Sequence, residues 1–440
     1  MNIINSTTFP CINDPDFAQY AQRYIEIEQK TLHAIAQYGL PFESSSENSD
    51  NALALKHQLR ARGARFSNND KSIHINWISD ACVACRTGEG SYTAFISLKC
   101  HRQCYFCFNP NQQDYDYYQH HLREAATEIE QIAASGEPLQ FAALTGGEPL
   151  LHKAEATGFF KRLQHHFPDI HARLYTAGDP LDEKTAQQLQ QAGLKEIRFS
   201  IKIDDPAEKQ ARILRRIRLA KKYIPTVMVE MPVIPGSGEQ MKALLCELDA
   251  LGVDGINLLE FCFPLANAAA FRERGFTLKY PPYQVYYNYW YAGGLAIAGS
   301  ETLALELMLF ALENALKLGV HYCSLENKHT GQVFQQNHLS PVDKTYYFSP
   351  RDAFFKCAKV FGSAITAVEA LLAQHHIPVR HSQQHHYIQF HPSAISLLGA
   401  LPVEVCLSLN VIEHLSETER DVKEVQLQHV TPSTFSLADI

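Results

Sequence analysis

Between Tyr92 and Phe263, short apolar stretches alternate with longer amphipathic ones in a regular order. The apolar stretches Tyr92–Leu98, Leu139–Leu144, Ala172–Thr176, Glu196–Ile201, Thr226–Val233 and Ile256–Phe263 have the length and near-continuous hydrophobicity of buried strands. Between them, Tyr118–Ala134, Ala154–His166, Glu183–Ala192, Ala207–Lys222 and Glu239–Leu251 space their apolar residues at helical intervals. Strands of this kind, separated by helices of ten or more residues, predict a parallel sheet with right-handed crossovers. Upstream, helical spacing runs over Asp16–Glu28 and Asn51–Arg62. A polar loop, Glu43–Asp50, lies between them, and the alternation Ser72–Trp77 reads as a strand. Beyond Pro264 the regularity stops. An aromatic run, Tyr283–Tyr291, either lines a substrate mouth or covers the open barrel edge, and packing is the simpler reading. Helices are then expected at Leu303–Leu318 and Ser363–Gln374, ahead of a strand-like tail. The chain thus divides into an N-terminal helical extension (1–81), an α/β core (82–265) and a mixed α/β C-terminal extension (266–440).

Composition narrows the class. Apolar residues make up 46% and charged residues 20% of the 440 positions, as in a soluble globular protein. A formal charge of −8 offers no electrostatic footprint for nucleic acid or an anionic membrane. The apolar stretch Leu303–Leu318 carries Glu306, Glu313 and Lys317, which suits a buried helix and not a membrane span. The first ten residues lack the basic and apolar regions of an export signal. Eleven cysteines in such a chain belong in a reducing compartment, the cytoplasm, where metal binding or catalysis is expected ahead of disulfides.

Three of those thiols stand close together, Cys100, Cys104 and Cys107, in a loop that ends the first apolar strand. Thiolates are soft ligands that suit iron–sulfur clusters or zinc. A zinc site or an electron-transfer cluster takes four protein ligands, and no fourth cysteine follows within a few residues. Three ligands to a cubane leave one iron open to a substrate or cofactor; a zinc knuckle with a distant fourth ligand is the alternative. The second strand closes on Leu144-Thr-Gly-Gly-Glu-Pro149. Both motifs sit at the C-terminal ends of predicted strands, where parallel α/β barrels gather their chemistry.

The C-x3-C-x2-C loop, with an aromatic residue (Phe106) before its last cysteine, and the Gly-Gly-Glu-Pro turn together resemble the radical S-adenosylmethionine (SAM) superfamily. The resemblance covers about residues 82–265 and implies a partial (β/α)6 TIM-like barrel. It implies a site-differentiated [4Fe-4S] cluster on Cys100, Cys104 and Cys107, with the SAM amino group at Gly146, Gly147, Glu148 and Pro149. The adenine is expected near Phe106. Thr176, Ser200 and Lys202 stand where the family contacts the cofactor or substrate. The implied activity is cleavage of SAM to a 5'-deoxyadenosyl radical that abstracts hydrogen, with a reductant such as flavodoxin or ferredoxin. A peptide or protein substrate is expected, with a small metabolite as the alternative. A non-catalytic iron–sulfur carrier or zinc scaffold would leave the glycine turn without a role.

Alternation along the fourth strand places Arg198, Ser200 and Lys202 on one face, and buried polar groups without partners are costly. Glu230, Asn257 and Glu260 are similar cases on later strands. Outside the main loop, Cys82 and Cys85 form a C-x2-C pair before the first strand, and Cys323 and Cys357 lie in polar settings downstream. These four predict a second centre, an iron–sulfur cluster or zinc, or else four unrelated thiols. Cys246, Cys262 and Cys406 read as small buried hydrophobes. His385–His391 reads as a surface strand as readily as a metal site.

Overall fold

Seven strands run parallel in one sheet: β1 (Ser91–Phe95), β2 (Phe141–Thr145), β3 (His171–Thr176), β4 (Glu196–Phe199), β5 (Thr226–Val233), β6 (Gly255–Glu260) and β7 (Gly319–Cys323). They stand in chain order. Past β7 the sheet continues into two antiparallel strands, Ser72–Ile75 and Arg65–Ser67, making it nine-stranded. Among the described residues β1 has a neighbour on one side only, so the sheet is an open, partial TIM-like barrel. The computed structural model describes residues 1–44, 47–282, 294–340, 342–416 and 419–440. The aromatic run Tyr283–Tyr291 lies outside them. No helix among the described residues is long and apolar enough to cross a membrane.

The crossover helices follow the predicted pattern, with informative departures. The expected helix Tyr118–Ala134 is two, Tyr115–His120 and Ala125–Ser135. The backbone around the break serves the chain beyond β1 instead: Leu98 N donates to Tyr118 O, and Arg123 N to Ile96 O. β6 stops at Glu260, because Phe261 N donates to the Ser300 hydroxyl (2.7 Å). Cys262–Phe263 then pairs antiparallel with Leu295–Ala296. Six parallel strands were expected and seven are present. The seventh lies beyond residue 265, after the crossover helix Ser300–Glu313. That helix packs on Glu47–Ala61 through the Lys56–Glu301 ion pair (2.7 Å).

The three successive blocks 1–81, 82–265 and 266–440 are not the units seen. The barrel with its edge strands takes residues 41–282 and 294–328, and a second compact unit joins Met1–Leu40 to His329–Ile440. That second unit is a seven-stranded antiparallel sheet. The helix Pro15–Ala36 belongs to it: Asp14 caps its N-terminus, and Phe17 stacks on Phe361 at 4.9 Å. The helix Ile365–Gln374 packs in another cluster of the same unit through Val368 and Leu372. Val379–Ser382 and Tyr387–Phe390 pair as antiparallel strands, which is the strand reading of the histidine-rich tail.

Candidate active site

The glycine turn is built onto the stem of the cysteine loop. β1 ends at Phe95, and the next residues offer their carbonyls to the turn after β2. Gly147 N donates to Ser97 O (3.0 Å), and Glu148 N donates to Lys99 O (2.9 Å). The approach is close enough that a Cβ on Gly147 would lie 2.0 Å from Lys99 O. Gly146 sits at φ +112°, a backbone conformation that side chains with a Cβ rarely adopt. From the far side of the cysteine loop, Asn109 Nδ2 donates to Gly146 O (2.7 Å).

Glu148 is 1% exposed and accepts from Leu150 N (3.0 Å), the Thr176 hydroxyl (2.7 Å) and Ala177 N (2.7 Å). Burial pushes its carboxyl above the ordinary range, against the pull of these three donors. The carboxylate therefore joins the turn after β2 to the end of β3. Thr176 also accepts from Gly178 N (2.9 Å). Thr176→Val is expected to strip one donor from a buried carboxylate and cost about 1.5–3 kcal/mol in denaturant unfolding at neutral pH. A loss below about 0.5 kcal/mol would mean water replaces the hydroxyl.

Cys104 and Cys107 are half-buried and Cys100 is exposed, with Cys107 N closing a turn onto Cys104 O (3.1 Å). Arg102 holds this loop. Its guanidinium donates to Asp179, after β3, through Nε (2.9 Å), and pairs with Asp205, after β4. His101 reaches the same Asp179 (2.9 Å). Asn267 Nδ2 donates to Tyr105 O (3.2 Å), and Arg274 stacks over the Tyr105 ring at 4.1 Å. Phe106 packs edge-on against Phe261 and Tyr105. Burial pushes the Cys104 thiol up to about 11, and the nearby Lys202 ammonium opposes the rise. Burial raises Cys100 and Cys107 as well.

Structure brings some of the expected strand-end residues together and separates others. β4 ends at Phe199, so Ser200 and Lys202 lie in the loop beyond it. Ser200 is exposed, and its hydroxyl donates to Glu230 O (3.3 Å). Lys202 lies near enough to Cys104 for its charge to act on the thiol, with Asp204 3.5 Å away. Arg198 instead sits in a buried network: it pairs with Glu196 and with Glu230 (2.7 Å), while Asn257 Nδ2 donates to Glu230 (2.6 Å). Next along the sheet, His321 Nδ1 meets Asn257 Oδ1 (2.9 Å) and its Nε2 meets the Ser72 hydroxyl (2.8 Å). Burial lowers the His321 pKa to about 3, so the ring is neutral and donates from Nδ1. Glu260 stands apart from this network, taking Leu325 N (2.8 Å) and Lys279 (3.1 Å).

The four cysteines expected to share a second centre are not one set. Cys357 is fully buried in the sheet of the other unit, where Asn410 Nδ2 lies 3.9 Å from its sulfur. Cys82 lies in the barrel network, with its sulfur 3.3 Å from both Arg198 and Asn257. Among the described residues, no three His, Cys, Asp or Glu side chains are already gathered as a metal site. That applies equally to the Cys100 loop, whose fit to a cluster rests on its donor set: three thiols on one short, anchored loop.

Sequence reasoning missed Arg102, Asp179, Asp205 and Asn109. The available signal was a cation between two cysteines, matched by aspartates just after two strand ends. Residues 95–247 match the model of the Radical SAM superfamily. A Methanocaldococcus jannaschii protein named for glycyl-radical enzyme activation is 30% identical over 261 residues, covering 56% of this chain and 63% of its own. The GTP 3',8-cyclase of Nautilia profundicola is 29% identical over 187 residues, 42% of this chain and 53% of its own. The matches therefore span between half and two thirds of these relatives' lengths. A crystal structure of Streptococcus suis SuiB bound to the precursor peptide SuiA is similar at 13% identity and TM-score 0.34, covering 56% of this chain and 53% of that one. The cysteine loop, the glycine turn fastened to its stem, and the family match across both make residues 95–247 similar to the radical SAM superfamily.

Proposed function

We propose that this chain is a radical SAM enzyme that abstracts hydrogen from a peptide or protein. Cys100, Cys104 and Cys107 would hold a [4Fe-4S] cluster. The chemistry such a cluster supplies is one-electron cleavage of SAM to a 5'-deoxyadenosyl radical. The single observation that carries the reading is the tie between the two motifs: Gly147 N and Glu148 N bonded to the stem of the cysteine loop. This tie keeps the turn that would receive the SAM amino group at a fixed place beside the thiols. Glu148 and Thr176 secure that turn from β3. Phe106 offers a ring edge to the adenine. Lys202, within electrostatic reach of Cys104, offers an ammonium to the SAM carboxylate, and Ser200 a hydroxyl at the same strand end. The electron would come from a flavodoxin or ferredoxin in the cytoplasm, where free thiols persist.

The peptide reading is supported by the relative named for activating another enzyme. The alternative, a small metabolite, is supported by the relative named for GTP cyclisation. The protein, anaerobically reconstituted with iron and sulfide and reduced with dithionite, is expected to convert SAM to 5'-deoxyadenosine. A reconstituted protein that binds iron yet forms none overturns the reading. Protein and small-molecule fractions of a cell extract, added separately, decide between substrates by which one accelerates that product.

A further inference from the structure

The barrel carries a second group of thiols that the family match leaves without a role. Cys82 lies in the short helix Asp80–Ala84, and Cys85 caps it one turn later, so the two sulfurs share a face. The helix is fixed at the barrel network from both ends of its first turn. The Ser79 hydroxyl donates to Glu196 (2.6 Å), and the Cys82 sulfur lies 3.3 Å from Arg198 and from Asn257. Asn257 also accepts from His321 on β7. Cys323 ends that strand two residues on, so its side chain leaves the same face as His321. Its sulfur accepts from Asn327 Nδ2 (3.4 Å). The C-x2-C pair and the strand-end thiol thus lie around one buried network, near enough for the charge on Cys82 or Cys85 to act on Cys323.

A second observation points to an anionic occupant. Lys328 lies within electrostatic reach of Cys323, Glu230, Cys262 and Cys85, and no hydrogen bond or ion pair within bonding distance links it to any described residue. Its side chain is exposed to solvent, so it is not a packed core lysine. Thiols that bind a metal lose their protons. Arg198 at Cys82 and Lys328 at Cys85 and Cys323 are the cations that would offset that negative charge. Cys357, the fourth member of the expected set, is held within the other unit's sheet. Three thiols therefore remain.

We propose that Cys82, Cys85 and Cys323 hold a second iron–sulfur cluster inside the barrel, with one iron open to a nitrogen or oxygen donor of the substrate. The ligand assignment stands without the reading of the Cys100 loop; only the substrate's place rests on that reading.

The test starts from the Cys100/Cys104/Cys107→Ala triple variant, reconstituted anaerobically with iron and sulfide. It is expected to retain about four irons with matching sulfide per chain, and a paramagnetic signal on reduction. Adding Cys323→Ala, or Cys323→Ser, is expected to bring iron close to zero. Adding Cys262→Ala or Cys357→Ala is expected to leave it unchanged. Circular dichroism confirms that each variant is folded, and the serine variant covers the case where alanine is not.

Three results overturn the proposal: a folded triple variant without iron, zinc bound without sulfide, or loss of iron on Cys262→Ala, which would close the fourth position. A triple variant without iron, from a wild type that still makes 5'-deoxyadenosine, removes this site and leaves the SAM reading intact. Iron in the triple variant, with no SAM cleavage by wild type, does the reverse.

Discussion

Gly147→Ala is expected to weaken SAM binding by about a hundredfold. The added Cβ would stand 2.0 Å from Lys99 O and 2.5 Å from Lys99 C. These are main-chain atoms of the cysteine-loop stem and cannot rotate aside as a side chain would. Either the turn or the stem must shift, and a shift lengthens the two bonds that join them, Gly147 N to Ser97 O and Glu148 N to Lys99 O. Overpacking of this kind costs about 1–3 kcal/mol, and each lost bond about 1 kcal/mol. Roughly 2.7 kcal/mol displaced from the bound state corresponds to the hundredfold change. Gly158→Ala is the control. It lies in the helix Lys153–His166 with nothing within 4 Å of a new Cβ, and alanine there gains up to about 1 kcal/mol of helix propensity. Equilibrium binding of SAM to both reconstituted variants checks the claim. Wild-type affinity in Gly147→Ala, at equal iron content, would show that the turn takes no part in binding.

The parallel strands were legible because burial on both faces leaves them almost wholly apolar, with β5 and β6 the clearest cases. The register argument on β4 failed for a local reason. Alternation holds only while the chain stays extended, and the strand ends at Phe199, where Ser200 N donates to Thr176 O. Arg198 was rightly read as inward, but its partners had to come from other strands. No window of sequence pairs Arg198 with Glu230, 32 residues away, or Arg102 with Asp205, 103 residues away. β7 escaped notice because it begins at Gly319, far beyond the end of β6 at Glu260, so Gly319–Cys323 stands outside the regular repeat. The division of the chain was hidden for a similar reason. Helix Pro15–Ala36 has an apolar face, through Phe17, Ala21 and Ile25, that fits either the barrel or the later sheet, and only the contact with Phe361 decides.

Arg198→Ala is expected to destabilise the protein by about 3–5 kcal/mol at pH 7, because it leaves two carboxylates in the barrel without their shared cation. Glu196 is fully buried and Arg198 nearly so, and Glu230 accepts from Arg198 at 2.7 Å. In the wild type, burial would raise the Glu196 carboxyl, but His171, Arg198 and Ser79 together hold it down to about 2. A carboxyl held below its unfolded value contributes stability above that value, about 4.3, and loses it as the pH falls through about 2. Wild-type stability from this network should therefore be full at pH 5 and above and fade only in stronger acid. Without Arg198 the sign reverses, because desolvation of Glu196 and Glu230 is no longer offset and their carboxyls rise. Protonation then relieves the variant as the pH falls. The gap between wild type and variant should be widest at neutral pH and should narrow toward pH 4. Urea unfolding of both proteins at pH 7 and pH 4 measures that gap. A difference below about 1 kcal/mol at pH 7, or one that widens in acid, would mean that water and not Arg198 solvates these carboxylates.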